Sequence, residues 1–264
     1  MDQNHFLNLL KQFEALHIRE AINFELMHQI LISFHSTAIE GSSLTEEEAR
    51  VLLLEGTTAK GKPLEDHNMV KDHQQALTHI LGLATEKKRI TSVFLQEINA
   101  NVMKTTGSVI HSIAGSYDSS KGDFRKSMVH VGNRYFTNYQ KVPLKVESLC
   151  DGIHRKMNTV SEPIEIYNLA FDAHFQLVSI HPWADGNGRT SRLLMNYILQ
   201  YHHQPLAVVF NTDKADYFEA LEDSRLKNDV RYFRDFMYFQ QIKYLSDEIE
   251  KVKSAEKGMK FELL

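Results

Sequence analysis

Apolar residues recur at helical spacing from the start of the chain. Phe6, Leu9, Leu10, Phe13 and Leu16 fall at offsets of three and four, which places them on one helix face. The stretch from Arg19 to Ile39 is so rich in Ile, Leu, Met and Phe that a helix there is apolar on much of its circumference. It reads as a central buried helix with Gly41 as its left-handed stop. Thr45-Glu46-Glu47-Glu48 then forms a capping box, opening a short helix through Leu54 that ends at Gly56. Pro63 to about Lys88 carries another helical pattern, and Thr91 caps a further one through about Thr105.

The pattern changes only between Gly107 and Asn138, where glycines and serines collect. Here Met128, Val129, His130 and Val131 alternate up to Gly132-Asn133, and Arg134, Tyr135 and Phe136 follow. Two short strands around that dipeptide make a hairpin. Beyond Pro143 the helical pattern returns and lasts to the end, and the charged tail from Asp247 to Lys260 reads as a solvated helix end. The expected fold class is all-α, mainly helical, with one short β-hairpin. No internal repeat or low-complexity linker marks a domain boundary.

Composition narrows this picture. With 12 Gly and 5 Pro in 264 residues, collagen-like and Gly/Pro-rich disordered chains are excluded, and most all-β sandwiches with them. Hydrophobic residues at 42% and charged residues at 24% suit a globular protein with a sizeable core. A formal net charge of -4 gives no footprint for nucleic acid or an anionic membrane, so neither is expected as a partner. The single cysteine, Cys150, reads as a buried structural thiol. The N-terminus has neither the basic region nor the cleavage site of a secretory signal, and the longest aliphatic runs resemble Val51 to Leu54. The expected location is cytoplasmic.

Two segments look like phosphate sites, and one is a decoy. Gly56 to Pro63 keeps P-loop spacing up to Lys62, but Pro63 stands where a magnesium-binding Ser or Thr is needed, and a helix rather than a strand precedes it. It reads as a surface loop. The informative segment is Ile180 to Asn196. An apolar helical stretch, Leu169 to Ile180, delivers His181, and Pro182 ends it. Gly186-Asn187-Gly188 can then expose consecutive N–H groups at the opening of a new helix, a natural anion site. Arg189 and Arg192 lie three apart and can reach the same anion. Asp185 offers a hard oxygen suited to magnesium that also bridges phosphates. His181 is the side chain able to take a proton near neutrality.

This segment, His181-Pro182-Trp183-Ala184-Asp185-Gly186-Asn187-Gly188-Arg189-x-x-Arg192, resembles the signature of the Fic family, with Trp183 in place of the usual Phe. Gly122-Asp123-Phe124-Arg125 followed by Val129-x-Val131 looks like the family's flap, and Asn196, Pro205, Tyr217 and Phe218 fall at family-like positions. Ser36-Thr37-Ala38-Ile39-Glu40-Gly41 is similar to the family's inhibitory motif, in the class whose inhibitory helix precedes the core. Read alone, Ser36 and Glu40 are a surface pair and Gly41 a helix stop. The resemblance implies a Fic fold, with residues 1–90 as an N-terminal helical region carrying the inhibitory motif, 91–240 as the catalytic core and 241–264 as a helical tail.

The resemblance also implies a protein adenylyltransferase that moves AMP from ATP, with Mg2+, to a Ser, Thr or Tyr hydroxyl of a target protein. In that reading His181 is the base, Asp185 the metal ligand, and Gly186, Asn187, Gly188, Arg189 and Arg192 hold the phosphates. Tyr217 and Phe218 line the adenine pocket, Arg225 stands where the family often has Asn, and Met128, Val129, His130 and Val131 pair with an extended target segment. Ser36, Glu40 and Gly41 are regulatory, with Glu40 competing for Arg192. Some members of this class also remove AMP through the inhibitory glutamate. A same-fold transferase of another phosphate-containing group and a catalytically silent binding or toxin-control module stay as alternatives, and a homo-oligomer stays open.

Overall fold

The computed structural model describes residues 2–131 and 134–262, apart from the side chains of 131 and 256–262. The N-terminal helix α1 (Gln3–Ala15) is capped by Asp2, whose carboxylate accepts the N–H groups of Asn4 and His5. Helix α2 (Phe24–Ile39) is shorter than its composition suggests. Ile18–Glu20 form a 3₁₀ turn and Asn23 takes the left-handed conformation (φ 62°), so the helix begins only at Phe24. Apolar content carries no sign of that break, and Asn is one of the few residues that adopts it at low cost.

Gly41, at φ 110°, ends α2 in a Schellman motif, its N–H donating to Ala38 O and that of Ser42 to Thr37 O. The Thr45 capping box opens α3 (Glu46–Glu55), which Gly56 stops at φ 74°. The loop before α4 (Leu64–Thr85) is the P-loop decoy, and Lys62 Nζ there donates to Ser43 O at 2.5 Å. Thr91 caps α5 (Ser92–Val102), which ends before the expected Thr105. Tertiary contact is the reason: Asp72 Oδ2, buried on α4, takes both the N–H and the hydroxyl of Thr105 at 2.7 Å.

Between α5 and α6 lie two two-stranded antiparallel sheets, where the pattern suggested one. Strands β1 (Val109–Ile110) and β2 (Tyr117–Asp118) were not legible as strands. The expected hairpin is β3 (His130–Val131) with β4 (Arg134–Tyr135), in register His130↔Tyr135 and Val131↔Arg134. Its Gly132-Asn133 turn lies outside the described residues.

Helices α6 (Val142–Met157), α7 (Pro163–Ile180), α8 (Asn187–Tyr201), α9 (Lys214–Leu226) and α10 (Arg231–Glu262) complete the chain. Helix α8 is the axis of the fold, buried from Arg189 to Leu199 and packed against α4, α5 and α7. The strip Gln204–Phe210 interrupts the helical pattern. Asn196 explains how: its side chain donates to Ala207 O (3.1 Å) and accepts from Ala207 N (2.8 Å), as a neighbouring strand does. One apolar core draws on residues from α1 through α10, and a small second cluster (Phe34, Leu44, Ala49, Leu52, Val70) seats α3. Cys150 is buried in the main core, and burial pushes its thiol up to about 12. No helix among the described residues is long and apolar enough to cross a membrane.

Candidate active site

The site forms where α7 ends and α8 begins. His181 terminates α7 in the left-handed conformation (φ 55°, ψ 64°), a strained placement for a residue with a Cβ, and Pro182 keeps the chain from continuing. The loop that follows is braced from several sides. Trp183 is fully buried, and its indole N–H donates to Gly122 O at 3.0 Å, a bond that a Phe at this position cannot make. The Asn187 amide closes the loop on itself, accepting from Trp183 N and donating to Trp183 O, each at 3.0 Å. Gly186, at φ 76°, precedes α8, and a Cβ there meets Asn99 Nδ2 at 2.7 Å. Asn99 itself donates to Asp185 O and to Thr190 Oγ1. The first-turn N–H groups of α8 have no partner within the helix. Such a turn can cradle an anion on a multiply braced loop.

Charged side chains gather on it. Asp185 is 63% exposed, one carboxylate oxygen accepting from Gly186 N and the other from Arg189 at 3.1 Å. The Arg189 side chain is 1% exposed and makes no other ion pair among the described residues. Arg192, also buried, donates from Nε to Ser36 Oγ (2.8 Å) and from one terminal nitrogen to both Ser36 O (2.9 Å) and Glu40 Oε1 (2.6 Å). Burial works against its charge, but the Glu40 carboxylate and the Tyr217 hydroxyl outweigh it, and the Arg192 pKa is raised. A Cβ built on Gly188 lies 2.2 Å from Glu40 Oε1, so the carboxylate rests directly on the glycine turn.

Beside His181 opens a cleft of 890 Å³ lined by Arg134, Phe136, Val178, Phe218, Glu222 and Arg225 among others. Burial lowers His181 to about 4, and the Arg125 and Arg134 cations act in the same direction. The imidazole is therefore neutral and able to accept a proton over the whole range around neutrality. Arg125 enters the sequence reading only as the last residue of the flap-like motif, with no role of its own. It is buried, donates from Nε to His181 O at 2.8 Å and from its terminal nitrogens to Ser127 O and Thr137 O, while its own N–H bonds Pro182 O. It staples the hairpin to the His181 loop.

A family model described as Fic/DOC family matches residues 89–199. Residues 89–199 correspond to a Fic domain. Among curated proteins it is 29% identical over 205 residues to "Protein adenylyltransferase Fic" of Drosophila melanogaster, covering 77% of this chain and 39% of that protein. To the Aedes aegypti protein of the same name it is 27% identical over 243 residues, 90% of this chain and 46% of that one. The chain thus spans less than half the length of these relatives. Its fold matches a Fic-domain-containing signalling protein from Bacteroides thetaiotaomicron at a TM-score of 0.79, with 22% identity, 95% of this chain and 98% of that chain covered. Fic-1 (aa134–508) of C. elegans follows at 0.78, with 22% identity, 96% and 73% covered.

Within this Fic domain, His181, Asp185, Gly186, Asn187, Gly188, Arg189 and Arg192 come together as the sequence indicated, and α2 brings Ser36 and Glu40 to them across more than 150 positions. Met128, Val129 and His130 run along the hairpin, where Phe136 N donates to Val129 O at 3.1 Å. Two positions differ from expectation. Tyr217 does not line the cleft; it is buried behind Arg192, its hydroxyl accepting from that guanidinium and bonded to His174 Nε2 at 3.0 Å. Phe218 and Arg225 do line the cleft. The Asn187 side chain is occupied in bracing the loop, which leaves its backbone N–H to face the cradle.

Proposed function

We propose that this chain is an autoinhibited protein adenylyltransferase, moving AMP from ATP to a hydroxyl side chain of a target protein. The observation that carries this reading is the Glu40 carboxylate, an anion resting on Gly188 and bonded to Arg192 in the cradle built for phosphate. The names of the relatives support the reaction class. His181 is the base that takes the hydroxyl proton as oxygen attacks the α-phosphorus in line and pyrophosphate leaves. Positioning and charge neutralisation supply most of the rate. The cradle N–H groups with Arg189 and Arg192 hold the triphosphate, and Phe218 borders the adenine.

The residues fit magnesium of the kind that bridges phosphates. Among the described residues no cluster of three or more His, Cys, Asp or Glu could form a closed metal cage, whereas Asp185 presents one exposed carboxylate beside the cradle. Magnesium keeps several waters and takes one or two carboxylates plus substrate phosphates. When bound it neutralises phosphate charge. The edge of β3 receives the target as an added strand.

Glu40 and the γ-phosphate compete for Arg192, so removal of Glu40 releases the activity. Intact-mass spectrometry after incubation with ATP and magnesium tests this. Glu40→Gly is expected to add AMP to itself or to a lysate protein at least about tenfold faster than the wild-type chain, the factor that 1.4 kcal/mol represents. A mass increment from another labelled donor identifies a same-fold transferase of a different group. No increment from any donor identifies a binding module.

A further inference from the structure

Three planar groups stack at the mouth of the cleft. The Arg134 guanidinium carbon lies 4.0 Å from the centroid of the Phe136 ring, and that ring lies 4.0 Å from the centroid of His181 at an interplanar angle of 32°. Arg134 is held in turn from α9, its Nη1 3.9 Å from Glu222 Oε2, and Glu222 is also paired with Arg225. Phe136 belongs to the chain just after β4, and its N–H bonds Val129 O at 3.1 Å. Its ring on His181 and its backbone on the 128–131 segment therefore move as one piece. The left-handed end of α7 fixes the His181 backbone, and the ring contact adds to what limits turning of the imidazole about its side-chain bonds.

We infer that Phe136 is a positioning residue: its ring, backed by Arg134, holds the His181 imidazole in the orientation base chemistry requires, so that order in the hairpin sets the competence of the base. The inference rests on the reading of His181 as the base. Aromatic pairs at this separation are attractive beyond the area they bury, and a cation over the far face of the same ring adds to its attachment. The groups facing His181 are the Val178 carbonyl from α7, Arg125 from the segment before β3, Arg134 from β4 and Glu40 from α2, the two cations opposing its protonation and the other two favouring it. Covering one imidazole face with an apolar ring keeps water from that face. A target strand that pairs with the 128–131 segment acts on the chain that carries Phe136, which ties substrate seating to alignment of the base.

NMR of the free protein tests the contact without any turnover. In ¹H–¹³C spectra with His181 assigned by His181→Gln, the ring signals of the wild-type chain carry an upfield ring-current shift and titrate near 4. Phe136→Leu, which keeps apolar bulk but removes the ring, is expected to lose that ring-current shift, while Phe136→Tyr keeps it. Arg134→Gln, which leaves the ring in place, weakens both signatures and guards against a Leu variant that fails to fold. In a Glu40→Gly background Phe136→Leu lowers kcat by about 10²-fold, as expected when a reacting group is misplaced by about 1 Å. KM for ATP stays within about twofold, and Phe136→Tyr restores the rate. Unchanged His181 signals in Phe136→Leu, or equal kcat for the Leu and Tyr variants, overturn the inference. A chain that transfers nothing in any background sinks the transferase reading instead, and the spectra then decide the ring contact alone.

Discussion

The two sides of the candidate site are built to different standards. On the proposed phosphate side each of three key residues is held at least twice: Trp183 by its ring nitrogen and by Asn187, Asp185 by Asn99 and Arg189, Arg192 by Ser36, Glu40 and Tyr217. On the hairpin side two strands of two residues each are held by the Arg125 staple and the Phe136 stack. In the proposed reading, a nucleotide presents the same triphosphate every time, so its mount gains from rigidity, whereas a protein segment arrives with a backbone to be accommodated. Preorganised dipoles act without reorganisation at the moment of reaction, and edges of short strands admit a partner.

His181 joins the two sides, and the largest expected effect is there. In a Glu40→Gly background His181→Ala lowers transfer by about 10²- to 10⁴-fold, read by radiolabel from α-labelled ATP. The acid limb of kcat/KM for Glu40→Gly lies well below 6.5, because a base held near 4 stays neutral down to that pH and loses its function only beneath it. A limb at the ordinary histidine value contradicts the buried environment described above. Hydrogen exchange reads the contrast directly. The Thr190 amide, bonded to Gly186 O at 2.8 Å, is expected to exchange at least about 10³-fold more slowly than that of Phe136, a gap of about 4 kcal/mol in opening free energy.

Stability sharpens the same contrast. Asn187→Ala leaves the buried N–H and carbonyl of Trp183 unpaired and costs about 1–3 kcal/mol in urea unfolding, while Tyr135→Ala on the exposed hairpin changes stability by less than about 0.5 kcal/mol. Similar costs for both refute the asymmetry. A further effect is a coupling. Gly188→Ala forces Glu40 off Arg192, so it destabilises the wild-type chain by about 1 kcal/mol and by less once Glu40 is glycine, when only the Arg192 contact at 3.1 Å remains. Additive costs in that double-mutant cycle mean that the carboxylate does not rest on the turn.

Much of this was legible from local chemistry. Thr45 and Thr91 announced helix starts and Gly41 and Gly56 helix stops, because caps depend on residues within one turn. The signature from His181 to Arg192 was legible for the same reason. What escaped reading depends on distant partners. Arg125 stands in the flap-like motif, but its bracing role is invisible until its three carbonyl acceptors are known, and Thr105 leaves the helical pattern only because Asp72 waits on α4. Tyr217 sits at a pocket-like position in sequence, yet packing turns its hydroxyl to Arg192 and His174. The break at Asn23 has no hydrophobic signal, since backbone conformation rather than polarity marks it.

The end of α2 also works as a ruler. Ser36 and Glu40 are one turn apart, both touch Arg192, and the Schellman motif at Gly41 stops the helix immediately beyond them. A single residue inserted between Phe24 and Ser36, with the start of the helix held, swings both contacts by about 100° and carries them about 1.5 Å along the axis. The distance from the start of α2 to Glu40 is thus counted in whole residues, and this part of the chain can change its composition far more freely than its length.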